Sequence, residues 1–514
     1  MQTTDETFAD ALADWMDRSP FFAIAVAVHI VALFLLQAFS FEEVRPDEVL
    51  VVRATLPSPV EEVIEEPEPE ILEELEPVEV EQVALVESES VEITDDFDAL
   101  DSDDAAESAF ENVSNLANTI GLGSGGGPDG GDGLGRGKRR GSLSPEANRS
   151  LRAALEWLAR HQSADGSWNA DGYHDQCFVD GEPCNGDGDA LHDVGVSGLA
   201  LMAFLGAGET TQHGAYRDTV RRAVGFLAGA QDPDTGRFGS DLSSEAIYDH
   251  AIATLALAEA YHADKNPLLG SRVRAAVRLC SQARNEYEGW RYGAAPNGES
   301  DASVTGWMMF ALGAARDSGV EVGDSAWLGG LTTIDALTDS TTGRTGYITR
   351  GGPSSRLHHL AEVFPAAETE TMTAVGLLCR SFAAAALGTP FDERDETVQR
   401  GAALLADNLP RWDPRGGGAD DGWNPGDHGP TNDMYYWYYG SLAAFQMGGP
   451  LWKDWSKAMH RVAADNQRGG HGCAAGSWDP GGPWGGSGGR VYATATMALC
   501  LEASLRYTRG FGFR

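Results

Sequence analysis

The chain has 514 residues, more than one ordinary domain needs, and 42% of them are hydrophobic, enough for a sizeable core. Its formal net charge of −41 argues against a nucleic-acid partner, because no basic stripe is present to displace phosphate counterions. The charge is unevenly spread: Ala54 to Gly135 holds 24 Asp and Glu and no Lys or Arg, which leaves −17 for everything else.

Residues 1–20 form a short acidic stub. Phe21 to Phe41 then runs for 21 residues with only His29, Gln37 and Ser40 polar. As a helix it spans about 31 Å, the thickness of a bilayer core, and it is predicted to be a single transmembrane helix. A cleaved signal peptide fits less well. The preceding residues are acidic, the apolar run is long, and no small-x-small cleavage site follows. Residues 42–143 are predicted to be a disordered linker. The first part repels itself through like charge, and Gly121 to Gly141 is a glycine hinge ending in Arg136, Lys138, Arg139 and Arg140.

A stub, one helix with an embedded His and a Pro/Glu-rich stretch (Glu66-Pro-Glu-Pro-Glu70, Leu75-Glu-Pro77) resemble the N-terminus of TonB-type energy transducers. The resemblance implies a single-pass protein of a bacterial inner membrane, with its C-terminal part in the periplasm. It also implies a proton-motor partner contacted through His29, a polar ring that in hydrocarbon needs a partner.

Residues 144–510 repeat. Each unit has an amphipathic helix, a Gly/aromatic loop and a more apolar helix. The first reads Ala154-Leu-Glu-Trp-Leu158, Gln162-Ser-Ala-Asp-Gly166-Ser-Trp168, then Val194 to Phe204. The loop signature returns at Gln231…Gly236-Arg-Phe238, Gly289-Trp290, Gly346-Tyr347, Gly422-Trp423 and Gly476-Ser-Trp478. Six pairs without polar capping units predict a closed ring with the second helix of each pair inside. The Gln…Gly-x-Trp loops resemble the repeats of squalene (terpenoid) cyclases and protein prenyltransferase β-subunits. That resemblance implies an all-α fold, an (α/α)6 toroid.

The resemblance also implies chemistries whose signatures can be sought. The cyclase acid motif D-x-D-D occurs only at Asp101-Ser-Asp-Asp104, inside the linker. The prenyltransferase zinc pair D-x-C occurs as Asp175-Gln-Cys177, in the loop of the first unit rather than beside a later inner helix. The Cys-Gly-Glu-Gln thioester of complement-like toroids is absent. Metal and cofactor are therefore left unassigned.

The inner-helix starts carry the remaining polar candidates. His192, Asp193, Asp249, His250 and Asp301 are the nominated acid/base set, with Glu368, Glu370, Asn432, Asp433 and Arg490 around them. They read either as N-caps or as a polar mouth facing aligned helix N-termini. Trp307, Phe310, Tyr435, Tyr436 and Trp437 are nominated as cavity aromatics for an isoprenoid or lipid ligand; core filling is the competing reading. Five consecutive aromatics, Tyr435 to Tyr439, cannot all face one way on a helix. Cys177 and Cys184 flank a short loop and read as a disulfide or as two thiols. His471-Gly-Cys473 offers two soft ligands, short of the four a structural zinc takes. The irregular stretch from Thr349 to Glu370, with Arg350, Arg356, His358 and His359, reads as a lid or a plain loop. Two functions remain: a membrane-tethered binding module, or a divergent isoprenoid- or lipid-processing enzyme.

Overall fold

The computed structural model describes residues 143–506, apart from 178–182, 241, 242, 244, 357–359, 362, 363 and 413–431. The expected transmembrane helix with His29, the linker with Asp101-Ser-Asp-Asp104, and His358 and His359 lie outside the described residues. Among the described residues, no helix is long and apolar enough to cross a membrane.

Among the described residues, twelve α-helices alternate between two layers. The outer ones are α1 (Pro145–Arg160), α3 (Arg217–Ala230), α5 (Pro267–Ala283), α7 (Asp324–Leu337), α9 (Glu396–Asp407) and α11 (Gly449–Asn466). The inner ones are α2 (Asp193–Gly206), α4 (Ala246–Asp264), α6 (Ala302–Asp317), α8 (Thr371–Leu387), α10 (Met434–Met447) and α12 (Gly485–Arg506). Each inner helix packs on the next, and α12 packs back on α2, so the six close a ring. The all-helical (α/α)6 toroid follows from that closure. Among the described residues the β structure is one isolated antiparallel bridge, Thr338 to Thr345.

Burial separates the layers as the sequence pattern requires. On α1 the buried residues Ala147, Leu151, Ala154, Leu155 and Leu158 recur at helical spacing, a single apolar stripe. On α6 every residue from Ala302 to Ala315 is buried, as expected of a helix enclosed on all sides. Outer helices α1, α5 and α9 start at side-chain caps. Ser144 accepts from the Ala147 N–H ahead of Pro145, and Asn266 accepts from the Leu268 N–H ahead of Pro267.

The repeated loop has a mechanical role. Gln162 Nε2 donates to the carbonyl of Gly166 in its own loop and to Thr219 O on the next outer helix, each at 3.0 Å. Gln231 does the same with Gly236 O and Arg272 O, at 2.9 and 3.0 Å. Gln467 repeats it with Gly476 O and Ser150 O, both at 2.8 Å, joining the sixth unit to the first. The loop tryptophans tie back to their own outer helices: Trp168 Nε1 to Leu158 O, Trp290 Nε1 to Cys280 O and Trp478 Nε1 to Ala463 O. Gly476 shows why glycine is needed. Its φ is +95°, and a Cβ there would lie 2.3 Å from Ala153 O across the joint.

Near the C-terminal ends of α2, α4 and α12, Arg506 donates to both carboxylate oxygens of Glu259 and to Met202 O, with Glu502 3.5 Å away. All three ionisable residues are buried there. The opposite end of the ring, where the inner helices begin, holds a cavity.

Candidate functional site

The cavity has a volume of about 140 Å³ and sits among the first turns of α2, α4, α6, α10 and α12. In place of α8 the wall is completed by Ser355 and Arg356, from the irregular stretch of the fourth unit. That stretch therefore contributes directly to the chamber, while Arg350 turns away to bond Ala336 O on the outer layer.

One wall is a histidine–carboxylate pair. His192 caps α2, Asp249 lies in the first turn of α4, and Nδ1 and Oδ2 are 3.4 Å apart. Their approach depends on Gly195, where a Cβ would meet Asp249 Oδ1 at 2.3 Å. Burial opposes charge on the imidazole, but the hydrogen bond and charge of Asp249, with Glu245 and Asp189 beyond, raise the His192 pKa above its ordinary value. Burial also raises the Asp249 carboxyl, with His192 acting against the rise. Nε2 of His192 has no bonding partner among the described residues.

The facing wall is aromatic. In a ring of six, α10 stands three places from α4, on the opposite side. Its Tyr435 and Tyr438 both stack on Trp307 of α6, with ring centroids at 6.2 and 5.8 Å and planes within 4° and 21° of parallel. Trp484 meets Tyr435 edge-on at 6.1 Å. Hydroxyls join these rings: Tyr248 donates to Ser303 Oγ at 3.0 Å, and Ser303 Oγ lies 3.0 Å from Tyr435 OH. Tyr292 and Tyr347 share a hydrogen bond, and the Arg291 guanidinium lies over both rings at 5.2 and 5.6 Å.

Arg356 is fixed by bonds to Phe364 O, Ser355 O and Asp433 Oδ2, the last at 2.8 Å. Asp433 in turn caps α10 through the Tyr436 N–H. Four buried polar atoms on cavity residues have no hydrogen-bond partner among the described residues: Trp484 Nε1, Tyr492 OH, Ser355 Oγ and Thr496 Oγ1. Buried polar groups are usually paired, so these four point to an absent acceptor or donor.

The nominated residues divide. His192 and Asp249 meet at the cavity, whereas three others do not line it. His250 is fully buried behind the chamber, where Nδ1 accepts from the Phe238 N–H at 3.2 Å and Nε2 faces Cys280 Sγ at 3.3 Å. Burial there lowers its pKa to about 4 and keeps it neutral. Asp193 accepts from the Ala170 N–H at 2.7 Å and pins the first loop; burial raises it to about 6. Asp301 caps α6 through the Val304 N–H at 2.8 Å, with Arg291 3.6 Å from Oδ2, and burial raises it to about 7. For Asp301 the N-cap reading describes the geometry; Asp193 instead bonds a loop N–H outside its helix.

The aromatics divide by helical spacing. Tyr435 and Tyr438, three apart, face the cavity with Trp307. Tyr436 bonds Asn408 O and packs on Trp455, and Trp437 packs on Trp412, so both face the outer layer. Phe310 packs on Phe382 and Tyr438, outside the cavity lining. Cys177 and Cys184, read from the sequence as a disulfide or as two thiols, are unbonded thiols in this structure. Sequence reasoning missed Tyr248, Tyr292, Trp484 and Tyr492 as wall residues, whereas Arg356 belongs to the stretch it read as a lid or a plain loop. Tyr248 could have been found one place before Asp249, on the same first turn.

No family model and no curated relative matches the chain by sequence. Three solved structures show how it resembles known folds. One is an inactive variant of the α-1,6-mannanase GH76A of Salegentibacter sp. HEL1_6 in complex with α-1,6-mannotriose. It is 11% identical with a TM-score of 0.45, covering 70% of this chain and 99% of that one. The cellobiose 2-epimerase of Spirochaeta thermophila is 15% identical with a TM-score of 0.45, covering 71% and 98%. The type II terpene cyclase MstE of Scytonema is 13% identical with a TM-score of 0.42, covering 70% and 98%. The toroid assignment stands on the closed helix ring itself; likenesses at this level carry no function.

Proposed function

We propose that the ring is a ligand-binding module whose chamber accepts one ring-sized or isoprene-sized group, the end of an isoprenoid or lipid. The carrying observation is the chamber's composition. A parallel Trp307/Tyr435/Tyr438 stack offers π faces, and Trp484 Nε1, Tyr492 OH and Ser355 Oγ offer unpaired polar atoms beside it. An apolar cavity of about 150 Å³ takes up a benzene-sized guest, and this chamber is of that order. The sequence supports the setting: an apolar segment at 21–41 would tether the ring to a membrane, and a repelling linker would let it reach away from the surface.

A second reading, proton transfer to the bound ligand, is favoured by one observation. His192 is oriented through Nδ1 by a buried carboxylate and lines the cavity, the arrangement a general acid or base needs.

The test is mass spectrometry of the full-length chain purified in mild detergent from its own membranes. Wild type is expected to carry an apolar, oxygen-bearing mass that Trp307→Ala loses while keeping its circular dichroism. A wild-type chain that carries no such mass, and takes up none from an extract of the same membranes, overturns the binding reading. Chemical alteration of the retained mass by wild type but not by His192→Ala would move the assignment to the enzyme.

A further inference from the structure

We propose that His161, Cys177, Cys184 and Cys473 bind one zinc ion that clasps the last hairpin of the ring to the first. The four side chains come from different places. His161 follows α1 at its C-cap, Cys177 and Cys184 border the loop of the first unit, and Cys473 lies in the loop of the sixth. His161 and Cys473 are 312 residues apart in sequence. One ligand atom from each residue lies within 4.8 Å of all the others.

The geometry matches a single tetrahedral ion. The three Sγ atoms stand 3.5, 3.6 and 3.3 Å from His161 Nε2. Zinc with sulfur at about 2.3 Å and nitrogen at about 2.1 Å places such ligand pairs roughly 3.6 Å apart. His161 is prepared for the role. Its other nitrogen, Nδ1, donates to Trp157 O at 2.9 Å, which leaves the Nε2 lone pair toward the sulfurs. The ring is held flat against Trp157, centroid to centroid at 4.2 Å, and is fully buried. The Cys184 N–H donates to Cys177 Sγ at 3.2 Å, a bond that favours thiolate.

A disulfide accounts for less of this arrangement. Joining Cys177 to Cys184 would use two sulfurs and leave a third thiol and an imidazole nitrogen converging on the same point. Three sulfurs and one nitrogen are a donor set that selects zinc. Binding displaces the three thiol protons to solvent and leaves one net negative charge on the complex. Arg490, anchored to Asn185 O beside Cys184 at 2.7 Å and paired with Asp479 at 2.8 Å, brings a cation of α12 close to the site. None of the four residues lines the central cavity, so this site is independent of the ligand chamber.

The site's position gives it a purpose. Every other joint between neighbouring hairpins is spanned by the chain itself, and the joint from the sixth unit to the first is not. There the chain is replaced by contacts that include Gln467 to Ser150, Arg160 to Ala475, Arg490 to Asn185, Arg506 to Met202, and this cluster. A zinc ion at that point replaces the missing covalent link.

The experiment uses the full-length chain. Elemental analysis after purification with zinc is expected to give about one zinc per chain. Cys473→Ser and His161→Gln are expected to lose it, while Cys379→Ser keeps it. After chelation and unfolding without reductant, all six cysteines should alkylate. Replacement by cobalt(II) should give the thiolate-to-metal absorption and visible bands of a tetrahedral sulfur-rich site, and chelation should lower the Tm. The cobalt spectrum decides the matter even if the variants fail to fold. Zinc far below one per chain with no cobalt absorption overturns the proposal. So does alkylation of two fewer cysteines, or zinc retained in Cys473→Ser.

Discussion

His192 and Asp249 belong to neighbouring inner helices and meet with 3.4 Å between Nδ1 and Oδ2, so the charge of the chamber wall is set by a pair and not by either group alone. The raised His192 pKa has a definite sign. Its contribution to stability is complete below the ordinary imidazole value of about 6.5 and is lost as pH rises through the higher folded value. Asp249→Asn removes the partner charge and leaves burial to act alone. His192 should then titrate at lower pH than in wild type, read from its ring proton shifts by NMR. An unmoved titration would show that Asp249 does not control it.

Asp301 gives the opposite test. Its carboxyl is raised by burial to about 7 from an ordinary 3.8, so the folded state holds a proton that the unfolded chain releases. Stability is therefore lost between those values as pH rises. Asparagine keeps the N-cap acceptor for Val304 and carries no charge. Asp301→Asn should stabilise by roughly 2–4 kcal/mol above pH 8 and by almost nothing below pH 4, measured by urea unfolding at both. Equal effects at the two pH values would contradict the assignment.

Arg506 compensates two buried glutamates from α4 and α12. Burial raises both carboxyls, Glu502 most strongly, against the pull of Arg506. Removing the arginine strands the Glu259 charge, so Arg506→Met should cost about 3–5 kcal/mol. Glu502→Gln imitates a protonated acid and should stay within about 1 kcal/mol of wild type at neutral pH. Thermal unfolding of the two variants side by side separates them; comparable losses would mean that Glu502 is ionised in the fold.

The ring was legible in the sequence because its joints are built from local signals. Gln162, Gly166 and Trp168 lie within seven residues, and the Gly-x-aromatic element recurs at Gly236-Arg-Phe238 and Gly476-Ser-Trp478. The chamber was half legible. His192 and Asp249 stand at predicted inner-helix starts, and the split of Tyr435 and Tyr438 from Tyr436 and Trp437 follows from 100° per residue, although the sequence reading groups Tyr435, Tyr436 and Trp437 and omits Tyr438. His250 misled because adjacent residues on a helix point different ways: Asp249 faces the cavity and His250 the outer layer. The thiol cluster was not legible by spacing at all. Cys473 sits two residues from His471, which is exposed, and 312 from His161, its real neighbour. Only closure of the ring brings the first and sixth loops together. A closed ring had been inferred, so the soft ligands of its two end units could have been grouped on that basis.

The uneven linkage of the joints also fixes an order of loosening. A segment bounded by peptide bonds on both sides must be torn from two neighbours while tethered to both. The hairpins at the two ends of the described ring, α1 with α2 and α11 with α12, are each tethered on one side only. Once the proposed zinc clasp is removed, their amides should exchange with solvent ahead of those in α5 to α8, and a break in the circle would travel away from Ser150 and Gln467 in both directions.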